Sequence, residues 1–304
     1  MDPWAPLAAR AGSAPSSRLP AGPEGAVVDR LFRGAVGVAT GVALAFLLLP
    51  IVAIFLQIPP GDLVSALGSD AATDALRVTA ETTAIAMAAI LLVGTPAAYW
   101  LATRRSRLRD VLVTLVELPL VLPPAVAGIG LLAAFARLGL LGGTFDALGL
   151  EIAFTKIAVV FAVVFVASPF YVRTAIAAFE GLDPALPGAA RTLGAGPAKV
   201  FLRVALPLAA GGLGAGSALA FARAVGEFGA TIMFAGSLQG VTQTLSTAIY
   251  EQFDADLDVA LAIGALLVAS SAVTLVSFKL LVRWRSDSRS PTLFAPSPPP
   301  SSSR

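Results

Sequence analysis

Six long apolar stretches constrain this chain more than any other feature. They run near Gly34–Ile58, Val78–Ala102, Val111–Ala136, Ile157–Ala178, Leu208–Phe234 and Val259–Val282. Each has about the 20 or more helical residues needed to cross a hydrocarbon core. A backbone inside lipid must satisfy its own hydrogen bonds, so such stretches cross as helices. The expected fold class is therefore an all-α membrane protein, a bundle of six transmembrane helices. The first stretch is too long for the apolar core of a secretory leader. It also runs through Leu47-Leu48-Leu49-Pro50 without a small-x-small exit, so it is expected to be retained. Only 13% of the 304 residues are charged, about half the share of a soluble domain.

The few charges set an orientation. Arg10, Arg18, Arg30 and Arg33, then Arg104, Arg105, Arg107 and Arg109, then Arg173, Arg191, Lys199 and Arg203, and finally Lys279, Arg283, Arg285, Arg289 and Arg304 fall on one set of segments. The alternating set holds only Arg77, Arg137 and Lys156, and Arg223 lies inside a span. Basic residues mark the cytoplasmic side, which places both termini there, in agreement with six spans. The opposite segments are acidic, with Asp62, Asp70, Asp74, Asp146, Glu151, Glu251, Asp254, Asp256 and Asp258. Residues 1–33 and 286–304, rich in Ala, Pro, Gly and Ser, are expected to be disordered tails, because they bury too little apolar area to offset their ordering. The membrane-spanning body is then 34–285.

Composition also excludes chemistry. The chain has no Cys and no His, which removes disulfides, zinc and haem sites, and Ser-His or Cys-His nucleophiles. Neither Lys156, Lys199 nor Lys279 completes a phosphate-binding G-x-x-x-x-G-K-[ST] loop, so the chain carries no such ATPase site. No catalytic residue, metal ligand or cofactor is expected within it. An intramembrane aspartyl protease would need two buried Asp residues, and only Asp110 lies near a span end on the basic side.

The connection from Glu180 to Pro207 is the most informative segment. Asp183-Pro184 reads as a helix start, Ala189 to Leu193 favour helix, and Gly194 is a natural residue to follow a helix end. Pro197 restarts a second short helix through Ala205, and Leu206-Pro207 leads into the fifth span. The spacing Ala189-Ala190, three residues, Gly194, nine residues, Val204, one residue, Leu206-Pro207 resembles the EAA loop of bacterial ABC importer permeases. In that family the loop is the coupling helix that docks on the ATPase subunit. The family pattern begins with Glu, where this chain has Gly188; the exchange removes a possible salt bridge and weakens a helix by roughly 1 kcal/mol relative to Ala. The coupling candidates are thus Gly188, Ala189, Ala190, Leu193, Gly194, Leu206 and Pro207.

The resemblance covers roughly residues 75–282. Glu117-Leu118-Pro119-Leu120-Val121-Leu122-Pro123-Pro124 and Ala220-Phe221-Ala222-Arg223-Ala224-Val225-Gly226-Glu227-Phe228-Gly229-Ala230-Thr231 look like segments of oxyanion importer permeases. Phe234-Ala235-Gly236, Thr242-Gln243-Thr244-Leu245 and Ala248-Ile249-Tyr250 are similar to the molybdate branch in particular. Sulfate and thiosulfate permeases share segments like Pro169–Thr174, yet commonly carry Tyr-Gly-Ser where this chain has Phe228-Gly229-Ala230. The resemblance implies the type I importer permease fold and ATP-driven uptake of molybdate, with sulfate, thiosulfate or tungstate as the alternative. It also implies a homodimeric pore in a bacterial cell membrane, cytoplasmic ATPase subunits, an extracytoplasmic molybdate-binding protein and no nucleic acid. An ATP-independent channel or carrier is the other class; neighbouring reading frames for an ATPase and a secreted binding protein separate the two.

Several intramembrane residues are candidates for the pore or for locks between helices. Arg223 and Glu227 stand one helical turn apart and can pair. The pair reads either as a structural lock or as a point of attraction for an oxyanion. Gly212, Gly216, Ala220 and Ala224 form a small-residue stripe suited to close helix contact. Glu117, about 10 Å along the helix from Asp110, is expected to be satisfied by the basic loop Arg104–Arg109, with a proton relay as the other reading. Pro119, Pro123 and Pro124 must disturb the third span, and Thr231 closes the fifth-span motif. The long acidic segment Ser237–Asp258 reads as an outer loop. It either meets a docking protein or lies solvated.

Overall fold

The computed structural model describes residues 23–59, 61, 64–65 and 68–287. The chain divides into two compact units, residues 1–53 and 54–304. The first unit contains most of α1 (Pro23–Gln57), a 35-residue helix with Pro50 inside it. Its start at Pro23 corrects the expected tail boundary: residues 23–33 are helical, and only 1–22 lie outside the described residues.

The second unit holds α2 (Asp70–Thr103), α3 (Arg107–Val121), α4 (Pro124–Phe135), α5 (Gly142–Ala147), α6 (Lys156–Glu180), α7 (Ala185–Thr192), α8 (Pro197–Val200), a π-helical turn (Phe201–Ala205), α9 (Leu206–Val225), α10 (Gly229–Phe234), α11 (Leu245–Ala255) and α12 (Leu257–Asp287). Among the described residues there is no strand. Among the described residues of the whole chain, α1 included, five helices are long and apolar enough to cross a membrane, or six if the bent pair α3 and α4 counts as one span. Helix α12 continues to Asp287, past the expected start of the C-terminal tail at 286; the remainder of that tail lies outside the described residues.

Helix α6 is the central post of this unit. It packs against α2, α3, α4, α9 and α10, and half of its apolar window is buried. Thr155 starts it by accepting a hydrogen bond from the Ile157 amide at 3.2 Å. The buried positions of α2, including Ala86, Ile90, Gly94, Ala98 and Leu101, recur every three or four residues, which places one face of that helix on α6. The Tyr171 hydroxyl lies 2.6 Å from Thr95 Oγ1 between the two. The small-residue stripe of α9 meets the other side of α6. A Cβ on Gly216 would stand 3.1 Å from Thr174 Cβ, and one on Gly212 would collide with Ala178. Bare glycines let the two backbones approach.

The third apolar stretch is not one straight span. Helix α3 ends at Val121, Leu122 and Pro123 are extended with ψ of 132° and 134°, and α4 leaves at 114°. A residue before proline is pushed out of the helical region, and Pro123-Pro124 does this twice in succession. The fifth stretch also departs from Leu208–Phe234. Its helical run is Pro197–Val225, and a break at Gly226–Phe228 separates the short α10. The second short helix of the loop therefore does not stop before Leu206-Pro207 but continues into the span. Pro207 has no N–H and its ring crowds the preceding turn; the wide π turn, closed by the Leu206 amide on the Phe201 carbonyl, accommodates it.

The segment Ser237–Asp258 is not a loop solvated throughout; its middle is buried and its ends are exposed. Thr242, Gln243, Thr244, Leu245, Thr247 and Ala248 are buried, and α11 packs on α2 and α12. Thr244 and Thr247 cap the start of α11 reciprocally: the Thr244 amide donates to Thr247 Oγ1 at 2.8 Å and the Thr247 amide to Thr244 Oγ1 at 3.4 Å. The Leu245 amide donates to Thr79 Oγ1 of α2 at 2.8 Å.

Candidate functional site

Two places collect the candidate residues, one at each half of α6. The first is the loop after Glu180. Asp183 Oδ1 accepts from the Ala185 amide at 2.9 Å and starts α7. At the other end the Leu193 amide donates to the Ala189 carbonyl at 3.1 Å and the Ala195 amide to the Ala190 carbonyl at 3.0 Å. Closing a helix this way needs a left-handed residue, and Gly194 supplies φ +83°. The Ala-Ala-x-x-x-Gly spacing is thus the geometry of one capped two-turn helix. Leu186 is about half exposed and Leu193 is 88% exposed, so α7 presents apolar side chains outward. Gly188 lies in its middle, and a Cβ there would meet nothing within 4 Å. Glycine is not sterically required at 188, and a Glu would fit. Leu206 and Pro207 stand apart from this helix, inside the run that becomes α9.

The base of the loop is held by groups that sequence spacing did not single out. Arg109 bonds Glu180 and Asp110, the latter at 3.0 Å, and its Nε donates to the Leu101 carbonyl at 3.3 Å. The rings of Tyr99, Phe179 and Phe201 pack together, with centroids 4.8 to 6.3 Å apart. The Arg109–Glu180 pair and the ring cluster join residues far apart in the chain, and no local spacing pointed to them.

The second place is where the bend between α3 and α4 meets the break after α9. A Cβ on Gly229 would lie 2.8 Å from Pro124 Cβ, and one on Gly128 2.7 Å from the Ala230 carbonyl oxygen. Arg223 and Glu227 pair at 2.6 Å, although Glu227 lies just past the end of α9 and not on its regular face. Glu227 is 2% exposed, and its other oxygen accepts the Ala230 amide at 2.7 Å. One carboxylate thus ties Arg223 to the first turn of α10. Thr231 is fully buried beside it, and its Oγ1 makes no hydrogen bond. Pro123, Pro124, Arg223, Glu227 and Thr231 therefore belong to one locus.

Glu117 does not. Its partner is Arg173 of α6 at 3.4 Å and not the basic loop, because α3 packs along α6 and this brings Glu117 to that helix. Arg173, expected near a connection, sits within α6 two turns before its end. Among the described residues no three Asp or Glu side chains gather to hold a metal ion.

Residues 90–287 match the family described as "Binding-protein-dependent transport system inner membrane component". The chain belongs to this family. As a family member it is a multi-pass membrane component of a transport system. It is 43% identical over 233 residues to the "Molybdenum transport system permease protein ModB" of Mycobacterium tuberculosis (strain ATCC 25618 / H37Rv), covering 77% of this chain and 88% of that one. It is 40% identical over 259 residues to the "Probable molybdenum ABC transporter permease protein HVO_B0370" of Haloferax volcanii, covering 82% and 93%. Among solved structures, a chain of a bacterial alginate ABC transporter in complex with an alginate pentasaccharide-bound periplasmic protein superposes with a TM-score of 0.68 at 18% identity, covering 85% of this chain and 96% of that one. That likeness places the fold of this transport component among ABC importer permeases.

Proposed function

We propose that this chain is the membrane permease subunit of an ATP-driven importer that carries molybdate into the cytoplasm. The observation that carries the reading is identity sustained over nearly the full length of relatives named as molybdenum permeases. The capped helix α7, with Leu186 and Leu193 turned outward, supports a docking role for the loop. In this reading α7 seats on a cytoplasmic ATPase subunit, two copies of the chain enclose the pore, and a molybdate-binding protein delivers the dianion from outside. The periplasmic partner in the alginate transporter complex supports such a delivery protein. Both termini then lie in the cytoplasm, on the side of the 17 basic residues counted from sequence.

Alternating access follows from the parts. ATP binding draws the two ATPases together, the docked α7 helices follow, and α6 and α9, continuous with the loop at either end, transmit the movement into the spans. The chain itself supplies no catalytic group, and the energy enters through its partners. The test is reconstitution with candidate ATPase and binding-protein subunits, measuring ATP-dependent uptake of molybdate, tungstate and sulfate side by side. Molybdate uptake that needs all three components is expected. Uptake of sulfate alone overturns the substrate assignment, and uptake without the ATPase overturns the importer class.

A further inference from the structure

At the end of the bundle near the α6–α7 connection, a cavity of about 830 Å³ opens between α2, α3, α6 and α7. Arg104, Arg105, Arg109 and Arg191 line it, with Ser106 at the start of α3. Its two carboxylates, Asp110 and Glu180, are both bound to Arg109. Arg104, Arg105 and Arg191 make no ion pair among the described residues. The cavity therefore carries uncompensated positive charge, reinforced by the N-terminal end of the 15-residue α3.

A separate groove of about 390 Å³ runs between α2 and α3, walled by Ala97, Trp100, Leu101, Leu112, Leu115 and Val116. It carries no charged side chain. The two spaces are joined by contacts. Arg104 of the cavity lies over the Trp100 ring of the groove, its guanidinium carbon 5.6 Å from the ring centroid. Arg109 of the cavity donates to the carbonyl of Leu101, a groove residue, at 3.3 Å. A cationic cup thus sits at the mouth of an apolar slot, at the level where a span leaves the hydrocarbon. Basic pockets between helix ends are suited to lipid phosphates. A free anion would have no use for the slot, and an uncharged lipid none for the cup.

We propose that the α2–α3 junction is a binding site for an anionic phospholipid. The phosphate lies in the cup beside the unpaired Arg104 and Arg105, and an acyl chain occupies the groove between α2 and α3. Because Pro187 and Arg191 of α7 form the far wall of the cup, the headgroup bridges the bundle to the loop helix.

The test uses the full-length protein, purified in detergent and stripped of lipid, with bound lipid counted by native mass spectrometry. Phosphatidylglycerol and phosphatidylcholine with the same acyl chains are titrated in, with and without inorganic phosphate. Phosphatidylglycerol is expected to bind the more tightly. R104Q/R105Q changes only exposed side chains outside any ion pair, and should weaken phosphatidylglycerol binding about 30-fold, at the usual contribution of a basic residue near an anionic surface. Ala97→Phe, which fills the groove, should weaken it as well. Equal binding of the two lipids, or unchanged binding by R104Q/R105Q, overturns the proposal. So does a phosphatidylglycerol signal abolished by inorganic phosphate and indifferent to Ala97→Phe, since that describes an anion site without a lipid. No ATPase and no transported ion enters the measurement, so its outcome is independent of the transport reading.

Discussion

Among the arginine–glutamate pairs of the described residues, Arg223–Glu227 and Arg173–Glu117 carry different weights because their surroundings differ. Glu227 is 2% exposed, holds Arg223 at 2.6 Å and also accepts the Ala230 amide. Removing the carboxylate strands a cation and a backbone donor together, and breaking a buried pair from one side costs on the order of 3 kcal/mol. We predict that Glu227→Ala lowers the thermal midpoint in detergent well beyond Glu227→Gln, which keeps an oxygen for Ala230. Equal midpoints for the two would sink the idea that Glu227 splints α9 to α10. The pair Glu117–Arg173 is longer, 3.4 Å, with side chains 36% and 67% exposed, and where such a pair faces a water-filled path it contributes under about 1 kcal/mol. Glu117→Gln should therefore leave the midpoint nearly unchanged, and a drop as large as that of Glu227→Ala would show the weighting to be wrong. The first pair was legible from a four-residue spacing, even though Glu227 sits beyond the helix end. The second was not, because its partners are 56 residues apart in the sequence and no local pattern relates them.

At the scale of elements, hydropathy located the apolar stretches but not their breaks. Two segments separated by a sharp bend keep the same window average as one straight span, so Val111–Ala136 read as a single helix. The Pro123-Pro124 pair signalled disturbance, but its size depends on α10 packing into the bend through Gly128 and Gly229, a contact set by the rest of the fold. The bend is measurable, because the chain contains no native cysteine. Spin labels on Arg107→Cys and Ala133→Cys, both exposed, would stand about 39 Å apart along a continuous helix. The 114° turn brings them to roughly 20 Å at the same rise per residue. A distance distribution centred near the longer value would disprove the broken span. The loop helix was legible almost residue by residue, since Asp183 and Gly194 act through short-range capping. At Gly194, φ is +83°, so Gly194→Val places a β-branched residue in a left-handed turn at a cost of about 1–2 kcal/mol. That variant should co-purify with less of the ATPase subunit than Gly194→Asn, which tolerates the turn. Equal recovery would mean that the loop does not dock through a rigid, capped α7.

Over the whole molecule, the sequence showed a division of charge, and the structure sharpens it. All three cations on the sparse side are ion-paired: Arg77 and Lys156 share Glu81, at 2.8 and 2.7 Å, and Arg137 pairs with Asp146 at 3.6 Å. On the other side Arg104, Arg105 and Arg191 have no carboxylate partner among the described residues, so the effective asymmetry is greater than the residue counts. What sequence could not supply was the packing that spends the acidic side on internal pairs and buries Thr242–Leu245. Those contacts link α2, α6 and α11 across more than 70 residues of chain. Free arginines are held back from crossing a membrane, which leads to a prediction about the orientation of the assembled protein. Leu193 after α7 and Leu138 after α4 are both strongly exposed and flank opposite ends of the 25-residue α6, which spans about 37 Å. In the cysteine-free background, Leu138→Cys should react with a membrane-impermeant maleimide added to intact cells stripped of any outer wall. Leu193→Cys should react only after the membrane is permeabilised. The reverse pattern would place the loop outside the cell, where no ATPase could reach it, and would overturn the transport reading together with the orientation. Reaction of both positions in intact cells would mean that α6 does not separate two compartments at all.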